Sequence, residues 1–152
     1  MTIYLIRHAN AGRRQPGGQD RDRPLDQHGT EQATRIRDAL GDAGIERIMS
    51  SPARRCIETV QPVATALGLG IEVDDALWEG HGATAAMALL ARLVEAGQPA
   101  ALCSHGDVIP MMLDTLAARG VPLQGVGCAK GSIWRLDLSA GDVVGGSYTA
   151  VP

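Results

Sequence analysis

A three-layer α/β/α sandwich on a mainly parallel central sheet is the fold this sequence predicts. Three short apolar runs, 2–6, 45–50 and 99–104, read as buried strands, and each is followed by a stretch of helical periodicity. The first run ends in Arg7-His8 and the third in His105-Gly106, so a histidine closes two of them. In an open parallel sheet the carboxyl ends of the strands face the ligand, so both imidazoles are expected at one edge.

The elements follow in order. The chain begins with the strand Thr2-Ile3-Tyr4-Leu5-Ile6 and turns at Arg7-His8 into a loop from Asn10 to Arg23. That loop is rich in Gly, Pro and alternating charge, and no core forms from it. Its arginines, Arg14 among them, either lie in solvent with internal ion pairs or reach over the strand ends. Residues 29–43 read as a helix with Ala33, Ile36, Leu40 and Ala43 on one face and Gly44 past its end. The strand 45–50 leads to Ser51-Pro52, a serine cap and first-turn proline opening a helix to Leu67 with Arg54 and Arg55 in its first turn.

Residues 70–82 alternate briefly and end in a turn around Trp78-Glu79-Gly80-His81-Gly82. A helix from Ala83 to Ala96 precedes the strand that ends at His105. Asp107 then caps a helix with Pro110 in its first turn, where a missing N–H costs little, and Gly120 ends it. Residues 132–138 and 143–151 form a hairpin around Ser139-Ala140-Gly141-Asp142, expected at the sheet's edge. Lys130 stands just before it, either as a cation lent to the site or as a surface lysine.

If the three strands are parallel neighbours, two imidazoles and at least two guanidiniums meet at their ends. Arginine offers fixed charge and paired donors that match phosphate oxygens, and a helix N-terminus adds backbone N–H groups and a favourable dipole. A neutral imidazole, with a reference pKa near 6.5, attacks phosphorus without a strong base to activate it. The combination points to phosphoryl chemistry on His8.

Composition narrows the class. The chain has 152 residues, 45% hydrophobic and 20% charged, as expected for one soluble domain spanning 1–152. A net charge of −3 without a polybasic tract argues against nucleic acid and anionic membranes as partners. The opening apolar stretch is closed by Arg7 after a few residues, too short for a signal peptide, so a cytoplasmic location is expected. Cys56, Cys103 and Cys128 are odd in number and lack CxxC spacing, the pattern of reduced thiols. No two histidines have ligand spacing on one helix, so no metal site and no cofactor is expected. Nothing in the sequence sets an oligomeric state.

The chain resembles the histidine phosphatase superfamily, also called phosphoglycerate mutase-like. Its Arg-His-Gly motif is matched by Arg7-His8-Ala9, its Ser-x-x-x-Arg by Ser51 to Arg55 with Thr59 one turn on, and its late His-Gly by His105-Gly106. The family's Pro-Leu-Thr-x-x-Gly-x-x-Gln-Ala segment is matched by residues 24–33, Pro-Leu-Asp-Gln-His-Gly-Thr-Glu-Gln-Ala. The resemblance implies a metal-independent phosphatase acting on a phosphomonoester or phosphoramidate. In it His8 is the nucleophile, Arg7, Arg55 and His105 neutralise the equatorial oxygens, and Glu79 donates the leaving-group proton, with a pKa raised by an apolar wall such as Trp78. Asn10, Arg14, Gly106 and Lys130 are the candidate substrate contacts.

Ala9 replaces the usual glycine, Ala11 stands where many members have threonine, and the stretch from Thr59 to Glu79 is short. These departures speak against mutase-type phosphoryl transfer. They make the chain similar to the compact SixA-type phosphohistidine phosphatases and to the phosphatase domain that follows a nudix domain in some nucleotide-cleansing enzymes. The expected partner is a phosphohistidine protein or a phosphorylated small molecule such as a nucleotide. A non-catalytic phosphate-binding regulatory module is the alternative from another class.

Overall fold

The computed structural model describes residues 1–14 and 16–152. Seven strands form one sheet: β1 (Thr2–Arg7), β2 (Arg47–Ser50), β3 (Ile71–Val73), β4 (Ala100–Ser104), β5 (Leu123–Gln124), β6 (Ile133–Ser139) and β7 (Asp142–Thr149). Their order is β3-β2-β4-β1-β6-β7-β5. The neighbours β3, β2, β4 and β1 are parallel, whereas β6 is antiparallel to both β1 and β7. The three histidine- or arginine-bearing runs are thus adjacent parallel strands, as their end residues required.

Four helices complete the layers: α1 (Gln27–Leu40), α2 (Arg54–Leu67), α3 (Thr84–Ala96) and α4 (Val108–Ala118). Side chains of the apolar strands alternate between two cores although the runs themselves read as continuously apolar. Ile3, Leu5, Ala100, Leu102 and Leu136 face α3 and α4. Ile6, Ile48, Ala101, Cys103 and Ile133 face α1 and α2. Each fully buried Leu and Ile among these contributes roughly 1.5–3 kcal/mol of transfer free energy, which fixes the register of β1 against β4.

That register pairs Arg7 with Ser104. The helix after β1 covers one face of the sheet and the helix after β4 covers the other. The crevice between these two strand ends is therefore the topological switch point where open α/β sheets bind ligands, and His8 and His105 flank it.

Several boundaries differ from the sequence expectation, each for a physical reason. Helix α1 starts at Gln27, two residues before Gly29, because Asp26 is the cap and accepts from the Gly29 N–H at 2.8 Å. It stops at Leu40, leaving Ala43 outside. Helix α2 starts at Arg54 after an Ala53 cap with no side-chain bond, and Ser51 stands two residues earlier, where its Oγ accepts from the Ala53 N–H at 3.3 Å. The hairpin is not the sheet's outermost piece, because the two-residue β5 pairs with β7 beyond it. Ala140 and Gly141, at φ 51° and 79°, make the tight left-handed turn that a right-twisted hairpin favours. Among the described residues, no helix is long and apolar enough to cross a membrane.

Candidate functional site

His8 sits where β1 ends, buried, with its N–H donating to the Ser104 carbonyl at 3.0 Å. Its Nδ1 lies 2.9 Å from the Ala9 carbonyl. A carbonyl only accepts, so Nδ1 carries the proton and Nε2 keeps its lone pair. Burial, outweighing the Ala9 bond and reinforced by neighbouring Arg55, His105 and Arg7, lowers the His8 pKa to about 3. The ring is neutral at pH 7 in the tautomer a nucleophile needs.

The Ala9 carbonyl is itself held. The Ala9 N–H donates to Thr59 Oγ1 at 2.9 Å, and the Thr59 hydroxyl donates to the Arg55 carbonyl at 2.6 Å. Thr59 lies one helical turn beyond Arg55, so a single face of α2 supplies both the guanidinium and the brace behind the histidine.

Arg55 is the most deeply buried cation, 1% exposed. Its Nη2 donates to Glu79 Oε1 at 2.9 Å and faces Asp20 Oδ2 at 3.3 Å, while Nη1 donates to the Asp20 carbonyl at 3.0 Å. Arg7 donates from Nη1 to the Cys128 carbonyl at 2.7 Å. The Nε atoms of Arg7 and Arg55 are buried with no hydrogen-bond partner among the described residues. A buried unpaired donor costs about 1–3 kcal/mol, so each is a donor open to an oxyanion.

His105 lies with its ring centroid 5.4 Å from that of His8. Ser51 Oγ, which accepts from the Ala53 N–H at 3.3 Å, is 2.8 Å from His105 Nε2. With Ser51 donating its own proton to Nε2, the imidazole holds its proton on Nδ1, which faces Glu79 Oε2 at 3.4 Å. Trp78 packs edge-on against this ring, centroids 5.5 Å apart. The apolar wall expected beside Glu79 therefore supports His105, and Glu79 is held by the Arg55 guanidinium instead.

The five residues expected to do chemistry, Arg7, His8, Arg55, Glu79 and His105, converge. The four expected substrate contacts do not behave alike. The Asn10 side chain is committed to the Asp26 carboxylate, and its N–H donates to Gln32 Oε1 at 2.8 Å, so it anchors the loop to α1. Arg14 is exposed and pairs with Asp20 at 3.5 Å. Gly106 lies against the Arg7 guanidinium, where its missing side chain is what matters. Lys130 is exposed and enters through its carbonyl, which accepts from Gln32 Nε2 at 3.3 Å.

Asp20, Ser51 and Gln32 touch the site or its supports; in the sequence Ser51 reads as a helix cap, Gln32 only as part of the 24–33 segment, and Asp20 has no role. Gln32 had a legible signal, since Gly29 and Gln32 are one turn apart on the helix face turned to the end of β1. Asp20 had none, because a loop has no periodicity. Cys56 and Cys103 are free and buried, and Cys128 is free and half-buried.

The profile of the histidine phosphatase superfamily (branch 1) matches residues 3–88. An 8-oxo-(d)GTP phosphatase of Mycolicibacterium smegmatis is 36% identical over 99% of the chain and 48% of its own length. The chain thus spans about half the length of that curated relative. A structure described as a SixA phosphohistidine phosphatase of Agrobacterium tumefaciens superposes with a TM-score of 0.74 at 27% identity, covering 90% of this chain and 91% of that one. The fold is also that of a tungstate complex of the histidine phosphatase SixA, at a TM-score of 0.77 and 23% identity over 99% of this chain and 95% of that one. On the family match and the site it lies across, the chain belongs to the histidine phosphatase superfamily.

Proposed function

We propose that this protein is a metal-independent phosphatase that cleaves a phosphomonoester or phosphoramidate through a phosphohistidine on His8. The observation that carries the reading is the state of His8: neutral, Nδ1–H tied to the Ala9 carbonyl, Nε2 lone pair free near buried Arg55 and half-buried Arg7, whose buried Nε donors are unpartnered.

His8 Nε2 attacks phosphorus in line with the leaving oxygen or nitrogen. The P–N bond forms as the bond to the leaving group breaks, and Glu79 supplies the proton the leaving group takes. Arg7, Arg55 and the Nδ1–H of His105 meet the charge on the equatorial oxygens, the part a metal ion plays in other phosphoryl transfers. Water then attacks the phosphohistidine, Glu79 takes its proton, and orthophosphate leaves with His8 restored. The name of the mycobacterial relative and those of the SixA structures support this class of reaction and these two kinds of substrate, a nucleotide or a phosphohistidine protein.

Turnover of p-nitrophenyl phosphate in the presence of chelator tests the reading, with an acid-quenched phosphoenzyme trap alongside. Metal-independent turnover with label on His8, abolished in His8→Ala, is the expected result. Tight phosphate binding without turnover of any phosphoryl donor would make the chain a binding module instead.

A further inference from the structure

We propose that Asp20 stands in for a second anionic group of the substrate, so that this site is built for phosphoryl donors of the diphosphate type. The inference rests on the phosphoryl pocket described above and names the substrate class it serves.

Three guanidiniums converge on the Asp20 carboxylate. Arg23 Nε is 3.1 Å away, Arg55 Nη2 is 3.3 Å away, and Arg14 Nη2 is 3.5 Å away. Arg55 belongs to both clusters, because the same Nη2 donates to Glu79 beside His105. An anion held by Arg23 and Arg14 would therefore lie directly next to a phosphoryl group held by Arg55. The carboxylate pays a burial penalty there, outweighed by Arg55, Arg23 and Arg14, so its pKa is lowered and it stays charged.

Besides its ion pairs, the segment that carries Asp20 is held to the site by the bond from Arg55 Nη1 to the Asp20 carbonyl at 3.0 Å. The single tight turn Asp20–Asp22 has no buried residue, and Gln19 gives it no side-chain cap. The base of the loop is pinned separately: the Gly12 N–H donates to the Pro24 carbonyl, and Arg23 Nη1 donates to the Gly12 carbonyl at 2.9 Å. Arg23 thus keeps its place when Asp20 leaves. Of the three ion pairs only Arg14–Asp20 is solvent-exposed, and a pair of that kind contributes little to stability.

Charge decides which substrate completes this exchange. Arg55 faces both Asp20 and Glu79, Arg7 faces a carbonyl, and His8 is neutral. A phosphoryl dianion arriving at Arg55 repels Asp20 across the shared guanidinium. If the substrate has a neutral leaving group, Arg14 and Arg23 lose their anion and gain nothing. If a second phosphate is attached to the first, it takes the carboxylate's place among the same three arginines.

Calorimetric titration with orthophosphate and with non-hydrolysable methylenediphosphonate tests this, on the wild-type protein, Arg14→Gln, Arg14→Gln/Arg23→Gln and Asp20→Asn. The wild type is expected to bind methylenediphosphonate about tenfold more tightly than orthophosphate. The ratio of the two dissociation constants should fall in Arg14→Gln and approach one in the double variant, and Asp20→Asn should tighten methylenediphosphonate. Equal affinity for the two ligands in the wild type, or a ratio that survives the double substitution, overturns the inference while leaving the phosphoryl pocket intact. Failure of the wild type to bind either ligand overturns the pocket and the inference together.

Discussion

Gly106 lies flat against the guanidinium of Arg7: a Cβ placed on it would stand 2.6 Å from Arg7 Cζ and 2.8 Å from Nε and Nη2. Gly106 follows His105 at the end of β4, and Arg7 precedes His8 at the end of β1. The close approach therefore sets the distance between the two histidine-bearing strand ends at the level of the site. Arg7 is the flexible partner, so in Gly106→Ala it is the guanidinium that moves and its 2.7 Å bond to the Cys128 carbonyl that breaks. Expected is a fall in kcat/KM of about 10²-fold, typical of a lost transition-state donor, with thermal stability nearly unchanged. Unaltered turnover of p-nitrophenyl phosphate by a well-folded Gly106→Ala protein would mean that Arg7 does not act on the phosphoryl group.

The pKa of His8 carries a sign that can be checked. It is about 3 in the fold, against a reference value of 6.5. Between these values the unfolded chain binds a proton that the folded one refuses, so stability falls as pH drops through this window and is fully present above it. The slope from His8 alone approaches 1.4 kcal/mol per pH unit, about 5 kcal/mol over the whole window. Urea unfolding from pH 7 to 4 should therefore show a weaker pH dependence in His8→Asn than in the wild type. Ring-nitrogen NMR should show His8 as the Nδ1–H tautomer down to pH 5, and an imidazolium signal with a midpoint near 6.5 would contradict the buried, desolvated site.

Thr59 braces the nucleophile from behind, accepting from the Ala9 N–H and donating to the Arg55 carbonyl. Thr59→Val keeps the shape and leaves a buried N–H unpaired, at a cost of about 1–3 kcal/mol. Because Ala9 also holds the His8 Nδ1 proton, kcat should fall as well, and Thr59→Ser should restore both. Chemical denaturation with steady-state kinetics on the two variants measures this, and a stable, fully active Thr59→Val would show that the brace is dispensable.

The residues legible in the sequence were those whose position follows from periodicity. His8 and His105 close apolar runs, and two such runs can bury both faces only as neighbours in a covered parallel sheet, which brings the imidazoles together. Arg55 followed from its place in the first turn of a helix after a third run. Ser51 was visible only as a cap, because a serine before a proline and a helix has that chemistry, and only the tertiary fold brings His105 to within 2.8 Å of its hydroxyl. Asp20 was illegible, since its contact with Arg55 joins an irregular loop to a helix 35 positions on. The side chain of Asn10 illustrates the opposite error: proximity to His8 in sequence suggested substrate, while its amide points back to Asp26.

Gly29 shows the same limit and gives a further prediction. A glycine near a helix start reads as a boundary, yet it lies inside α1. A Cβ at position 29 would stand 1.9 Å from the Asn10 carbonyl oxygen, a backbone atom that cannot swing away. Alanine would raise helix propensity by about 1 kcal/mol, but the clash pushes α1 away from the chain immediately after His8. Gly29→Ala should therefore lose about 3 kcal/mol of stability, together with part of its activity per folded molecule. Gly12→Ala is the control, because nothing lies within 4 Å of a Cβ there and its φ is not positive. It should stay within about 0.5 kcal/mol of the wild type. Equal melting temperatures for the two variants would show that α1 does not need the close approach to Asn10 to hold the loop behind the nucleophile.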